Sequence, residues 1–454
     1  MYPSRPDTDV SRQPLPVGVL IAACFGNALE FYSVTVYAFV ATTLSPLFFP
    51  HNNPAVSILL TFGLFGISYL VRPIGGIVVG AYGDRKGRRA ALLLTLEITL
   101  VGTALMVATP SYARIGLWAP LLVLMARILQ GFALGGELGS ATAYLMEQGP
   151  AHRKPLFASL QLASQGLGGI VAATAGLIFT NLTPEHRASW GWRLMLAMPL
   201  FLAPIGIYIR RHLNESYEFL NSERARVSTA RLIYHYRSMI VLSAATIAAL
   251  TANIYFRVYL PAFVSSNLGL PAWSPFVLMY ITSVINMIVV PVVARISTPE
   301  NSRRIMMGAL VLLTLAVWPA IVMVTRHPTV MHMLVGCSIL TVLGAIYSAP
   351  QSYVIASIFP TQMRSVGVAT SYNVAVLAFG GFAPAIYSGL VQMTGNPRSP
   401  AAYLLGACAV SFVSLFFLPN RTIAPPTRQA ATPLPLALLQ QAHVGRRSMQ
   451  HSGC

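Results

Sequence analysis

Twelve stretches of 18 or more mostly apolar residues follow one another along the chain, at roughly 17–42, 57–82, 90–109, 118–145, 156–180, 192–210, 238–264, 274–296, 304–325, 331–357, 366–393 and 400–419. A helix of that length spans the hydrocarbon core of a bilayer, about 30 Å thick. Only 9% of the residues are charged, against about a quarter in soluble domains, so much of the surface is not built to face water. The pattern predicts an all-α membrane protein with twelve transmembrane helices.

The formal charge of +18 would suit a nucleic-acid partner only if it formed one patch, and its placement argues otherwise. Of the 30 Lys and Arg, 22 fall in the termini and in the loops after even-numbered helices, as in "DRKGRR" (84–89), Arg153/Lys154, the stretch 209–237 and Arg303/Arg304. Five lie on the opposite side, and three (Arg72, Arg127, Arg257) lie inside helices. This is the positive-inside asymmetry, which predicts both termini in the cytoplasm. The bilayer and its anionic headgroups are the expected macromolecular surroundings, with no nucleic acid. Cys24, Cys337 and Cys408 fall in helices and Cys454 is the last residue; no pair has the spacing of a disulfide or metal site. Nor does a nucleotide-binding loop or nucleophile motif occur, so neither an enzyme nor a cofactor is expected. The first apolar run is too long for a signal peptide and lacks a small-residue cleavage site, so it reads as a retained helix.

The longest internal polar stretch, 209–237, divides the helices six and six. The expected organisation is an N-terminal arm (1–16), a first six-helix half (17–210), a cytoplasmic linker (211–237), a second half (238–419) and a disordered tail (420–454) rich in Pro, Ala, Thr and Gln. Two such halves place a substrate site between them near the bilayer midplane. "GAYGDRKGRRAALLLTLEI" (80–98) is weakly echoed by "VARISTPENSRRIMMGALVLL" (293–313), with the paired Arg kept and the Asp lost. Gly131, Gly135 and Gly139 at spacing four, Gly166, Gly168 and Gly169, and "FGGFAP" (379–384) mark places where helices approach closely.

Of the 12 acids, Glu30, Glu97, Glu137 and Glu147 lie in or at the ends of helices, all in the first half. An ionised carboxylate in hydrocarbon is expensive, so such an acid faces a cavity, pairs with a cation or takes up a proton. Glu30 and Glu137 are therefore the candidate proton-coupling groups, whereas Glu97 and Glu147 read as structural. Asn27, Glu30, Ser33 and Tyr37 share one face of helix 1, and Arg127, Gln130 and Glu137 share one face of helix 4. Arg127 and Glu137 are separated by about 15 Å along the axis and need partners on other helices; Glu30–Arg127 is the expected pair. Arg257 has no helical acid in its own half, so a substrate carboxylate is its natural partner, with snorkelling to the interface the alternative. Arg72, before "PIGG", reads as structural. Gln161, Gln165, Tyr255, Tyr347, Gln351, Tyr372 and Asn373 complete the polar candidates for the cavity.

"GNALEFY" (26–32), "YLVRPIGGIVVGAYGDRKGRR" (69–89), "IGLWAPLLVLMARILQGFALGGELGSATAYLMEQGP" (115–150), "SWGWRLMLAMPL" (189–200) and "FPTQMRSVGVATSYNVAVLAFGGFAPAIYSGLVQMTG" (359–395) together resemble the metabolite:proton symporters of the major facilitator superfamily, closest to the citrate and tricarballylate branch. The resemblance implies a proton-coupled secondary transporter of the bacterial inner membrane, working as a monomer by alternating access and importing a di- or tricarboxylate. Carriers of an osmolyte, shikimate-like or aromatic acid, an exchanger or exporter, and a non-transporting sensor are the alternatives. It also implies a conformational latch made of Gly80, Asp84, Arg85, Gly87, Arg88 and Arg89, in which Asp84 accepts hydrogen bonds from a second-half helix N-terminus near Arg364. The sequence departs from the family where an aspartate is common: Ser33 stands there, leaving Glu30 without a second acid one turn away.

Overall fold

The computed structural model describes residues 17–50, 54–148, 150, 153–211, 215, 229–264, 268–271 and 273–419; some helical side chains within these ranges, Glu30 among them, also lie outside the described set. The expected arm, most of the linker and the expected tail lie outside it too.

Among the described residues, twelve long helices succeed one another. They are α1 (Val17–Phe48), α2 (Pro54–Lys86), α3 (Arg88–Ala108), α4 (Trp118–Gln148), α5 (Lys154–Thr180) and α6 (Trp192–Arg211). After a short helix at Thr229–His235 come α7 (Arg237–Phe263), α8 (Ser274–Ile296), α9 (Ser302–Arg326), α10 (Val330–Ile358), α11 (Arg364–Thr394) and α12 (Pro400–Phe417). No strand occurs among the described residues. In lipid every backbone polar group must be satisfied within its own segment, which makes the helix the natural choice for runs of this composition. Ten helices, α3 to α12, are long and apolar enough to cross a membrane. Large apolar side chains such as Ile74, Leu121, Phe201, Trp318 and Phe416 are more than half exposed, an arrangement suited to a lipid-facing surface.

α1 continues to Phe48, beyond the expected end of the first span, and Arg210, the last residue of the sixth expected span, is completely buried. A charge inside the protein is tolerated where a counter-charge awaits it. α11 is a single span interrupted by a π turn at Leu377–Gly381, the "FGGFAP" stretch.

The halves meet where α11 packs on α2 and α4, and where α5 packs on α8 and α10. Glycines set how close these helices come. A methyl group on Gly135 would overlap the Arg72 carbonyl of α2, and one on Gly139 would overlap the Ser365 carbonyl of α11. α4 is thus wedged backbone-to-backbone between its own half and the other. Gly139→Val is expected to destabilise the detergent-solubilised protein by about 1–3 kcal/mol in chemical unfolding. Gly406→Val, at a position with nothing within 4 Å, should leave the transition in place, and equal losses in both variants would contradict this packing.

Candidate functional site

The end of the bundle that carries Asp84 is closed by a network of charge. Asp84 accepts backbone N–H bonds from Ser365 at 3.3 Å and Val366 at 3.1 Å, at the N-terminus of α11, where the helix dipole favours an anion. Arg88, completely buried, donates to Asp84, to Glu147 at 3.2 Å and to the Thr361 carbonyl at 2.9 Å. Glu147 in turn accepts from Arg364 at 2.9 Å. Glu147 on α4 therefore holds one arginine from each half. Gly80 lets α2 approach Val366 closely, and Gly87, at φ 113°, occupies a conformation open to glycine, against Glu215. Glu215 accepts the Arg88 and Arg89 N–H groups at 2.9 and 3.3 Å, and the Arg89 guanidinium donates to the Arg211 carbonyl. Arg85 is exposed. In the corresponding second-half loop, Arg303 donates to the Leu418 and Phe416 carbonyls at the end of α12.

Glu137 lies elsewhere than the shared face with Arg127 implies. It is buried and accepts from Arg210 of α6 and, at 3.0 Å, from the Thr95 hydroxyl of α3. Arg210 also donates to the Leu92 carbonyl, and Gly26 leaves the room on α1 that its guanidinium occupies. This is a closed pair inside the first half, turned away from the seam. Arg210 is one functional partner that sequence reasoning missed. The signal available was an acid without an assigned cation on its own face.

The remaining candidates lie partly within each half and partly at the seam between them. On α1, Asn27 donates to the Gln161 carbonyl at 2.7 Å and to Ser164 at 2.6 Å, and its Oδ1 accepts from Gln161 Nε2 at 3.0 Å, tying α1 to α5. Ser33 turns its hydroxyl back to the Leu29 carbonyl at 2.9 Å and borders a small cavity shared with Arg72, Arg127 and Gln130. Arg127 lies 3.5 Å over the Tyr37 ring and donates to Gln130 at 2.5 Å, and Gln130 donates to Thr103. Glu30, the expected partner of Arg127, has its side chain outside the described set.

Arg72, which the sequence reads as structural, borders the same small cavity. It is 5% exposed and its guanidinium lies 3.9 Å over the Tyr69 ring. Among the described residues Nε has no hydrogen-bond acceptor and no acid pairs with the group. Tyr69 packs edge-on against Tyr255 of α7, ring centroids 5.6 Å apart, a contact across the seam. Tyr372 of α11 borders a cavity between the halves with Gln161 of α5 and Leu250 of α7. Asn373 donates across the seam to the Gly135 carbonyl at 2.7 Å. Tyr347 and Gln351 both donate to the Thr246 carbonyl of α7, at 2.6 and 3.0 Å, which fixes α10 to α7. Arg257 donates to the Thr341 hydroxyl at 2.8 Å, a neutral partner.

The "Sugar (and other) transporter" family model matches residues 19–236. The chain is 32% identical over 412 residues to a citrate-proton symporter of Klebsiella pneumoniae, covering 89% of this chain and 92% of that protein. It is 31% identical over 412 residues to a putative proline/betaine transporter of Staphylococcus aureus (strain COL), covering 88% of this chain and 87% of that one. A solved proton:xylose symporter, bound to 6-bromo-6-deoxy-D-glucose, superposes with a TM-score of 0.72 at 17% identity, covering 89% of this chain and 97% of its own. That likeness shows a shared fold.

The Glu137–Arg210 pair yields a stability prediction. Glu137→Gln leaves Arg210 buried without its counter-charge, and a loss of about 3–5 kcal/mol is expected in unfolding of the purified protein. Arg210→Gln should cost a similar amount, and the double variant less than the two together. Additive losses would show that the two side chains do not depend on each other.

Proposed function

The chain belongs to the metabolite:proton symporter family of the major facilitator superfamily, and from that membership we propose that it imports a di- or tricarboxylate together with protons. The observation that carries the substrate class is Arg72: a buried guanidinium stacked on Tyr69, with which no acid pairs among the described residues and whose Nε has no hydrogen-bond partner there. A cation held in a low-dielectric interior is costly until an anion joins it, and a substrate carboxylate fits its planar fork of donors in a bidentate contact. Arg127 borders the same small cavity. A guanidinium without an acid suits a substrate that brings a carboxylate, which supports a citrate-like substrate. The relatives point the same way only in part, since both kinds of substrate occur in their names.

Alternating access then takes a simple form. With the Asp84 end closed, substrate enters from the opposite end; when the Asp84, Arg88, Glu147 and Arg364 contacts part, it leaves on the cytoplasmic side. In this reading both termini are cytoplasmic, the membrane is the bacterial inner membrane and the carrier acts as a monomer. Glu30 carries the proton, with Ser33 beside it in place of a second acid. Glu137, held by Arg210, serves as a structural staple. Moving each negative charge inward against 100 mV costs about 2.3 kcal/mol, so a multiply charged substrate enters concentratively only with more than one cation. The lone Glu30 favours a partly protonated substrate.

The test is uptake of labelled citrate, tricarballylate, 2-oxoglutarate, shikimate and betaine into proteoliposomes, with and without an imposed inward proton gradient. Gradient-stimulated accumulation of a carboxylate is expected; stimulation of betaine alone, or of none, overturns the proposal. Arg72→Gln should cut carboxylate kcat/KM at least 100-fold, and retention of wild-type uptake would remove Arg72 from the site. Glu30→Gln should abolish gradient-driven accumulation while leaving substrate exchange, and unchanged accumulation would place the proton elsewhere.

A further inference from the structure

A second cavity lies between the halves, bordered by Thr142 of α4, Gln161 of α5, Leu250 of α7, Gln351 and Ser352 of α10, and Tyr372 of α11. Two of its polar groups are orphaned. Thr142 and Gln161 are each 1% exposed, yet among the described residues Thr142 Oγ1 and Gln161 Oε1 have no hydrogen-bond partner. Buried polar groups are nearly always paired, so two orphans at one cavity call for a ligand or a water. Gln161 is not free to turn and relieve itself. Its amide nitrogen donates to Asn27 Oδ1 at 3.0 Å, and its backbone carbonyl accepts from Asn27 Nδ2 at 2.7 Å. The amide is thereby held with its oxygen as the unused atom.

The chemistry of the two orphans specifies what completes them. An amide oxygen can only accept, while a threonine hydroxyl can also donate. One substrate hydroxyl, donating to Gln161 Oε1 and accepting from Thr142, satisfies both at once; a carboxylate cannot, because it offers no proton to the amide oxygen.

We infer that Thr142 and Gln161 form a hydroxyl subsite, so that the carrier selects a hydroxycarboxylate over the same carboxylate lacking the hydroxyl. The inference rests on the carboxylate reading above and adds a specificity to it. A citrate-sized molecule exceeds the space left in this conformation, so its binding requires the halves to part. Selectivity of this kind is strong, because an analogue without the hydroxyl leaves the amide oxygen buried and unpaired.

The experiment compares uptake of citrate and of tricarballylate, which is citrate with its hydroxyl replaced by hydrogen, by the full-length reconstituted carrier. Wild type is expected to favour citrate by about tenfold or more in kcat/KM. Thr142→Val keeps the side-chain shape and breaks no hydrogen bond seen in the structure, so it should fold, with an unchanged melting temperature. Its citrate-to-tricarballylate ratio should fall several-fold towards one. A wild-type ratio of one, with both substrates taken up, leaves the carboxylate reading standing and overturns the subsite. So does an unchanged ratio in Thr142→Val, the result expected if an ordinary water bridges the two atoms. Uptake of neither compound overturns the carboxylate reading and the subsite with it.

Discussion

The guanidinium of Arg72 and the carboxylate of Asp84 ride on one helix, α2, twelve residues or about 18 Å apart along its axis. Every arginine buried at the Asp84 end has an acid: Arg88 has Asp84 and Glu147, Arg364 has Glu147, and Arg210, deeper in the first half, has Glu137. Arg72 has the face of Tyr69 and, among the described residues, no acid. The rest of the arrangement depends on this inequality. The fold satisfies charge where the halves lock together and leaves Arg72 without an acid, among the described residues, beside a small cavity lined by α1 to α4. A ligand can shift a conformational equilibrium only by its differential affinity for the two states. An anion that neutralises Arg72 acts directly on the helix whose far end carries the lock.

Contact across the seam is made by small residues and tyrosines, with charge kept to the Asp84 end. Gly139 allows α4 to touch the backbone of α11, and Tyr69 packs against Tyr255. Aromatic edges and hydroxyls can re-form in a second arrangement at low cost, whereas a buried ion pair resists being broken. That division of labour gives a lock of definite strength at one end and an adaptable lining in the middle. The π turn at Leu377–Gly381 sits where α11 passes this lining, with Gly380 against Tyr255 and Gly381 against Tyr69.

Hydropathy alone made the twelve helices legible, because lipid imposes length and composition on every span independently of its neighbours. The role of the 80–89 loop was legible through the family resemblance, and the hydrogen bonds from Ser365 and Val366 to Asp84 lie where the resemblance implied a helix N-terminus. What could not be read was pairing between distant helices. Arg210 and Glu137 are 73 residues apart, and nothing in local periodicity says that the arginine at the end of α6 meets an acid on α4. Arg72 reads as structural from its position near "PIGG"; that no acid pairs with it among the described residues is visible only in three dimensions. Conversely, the shared helical face of Arg127 and Glu137 was real as geometry and misleading as chemistry. The long axis of α4 carries one residue to the seam and the other into the first half.

The most direct measurement is a cryo-electron microscopy structure of the carrier with citrate bound. Carboxylate oxygens about 3 Å from the Arg72 guanidinium, in a paired contact between the halves, are the predicted result. Citrate seated instead on Arg257 and Thr341, with Arg72 still lying against Tyr69 and no anion beside it, would contradict the account.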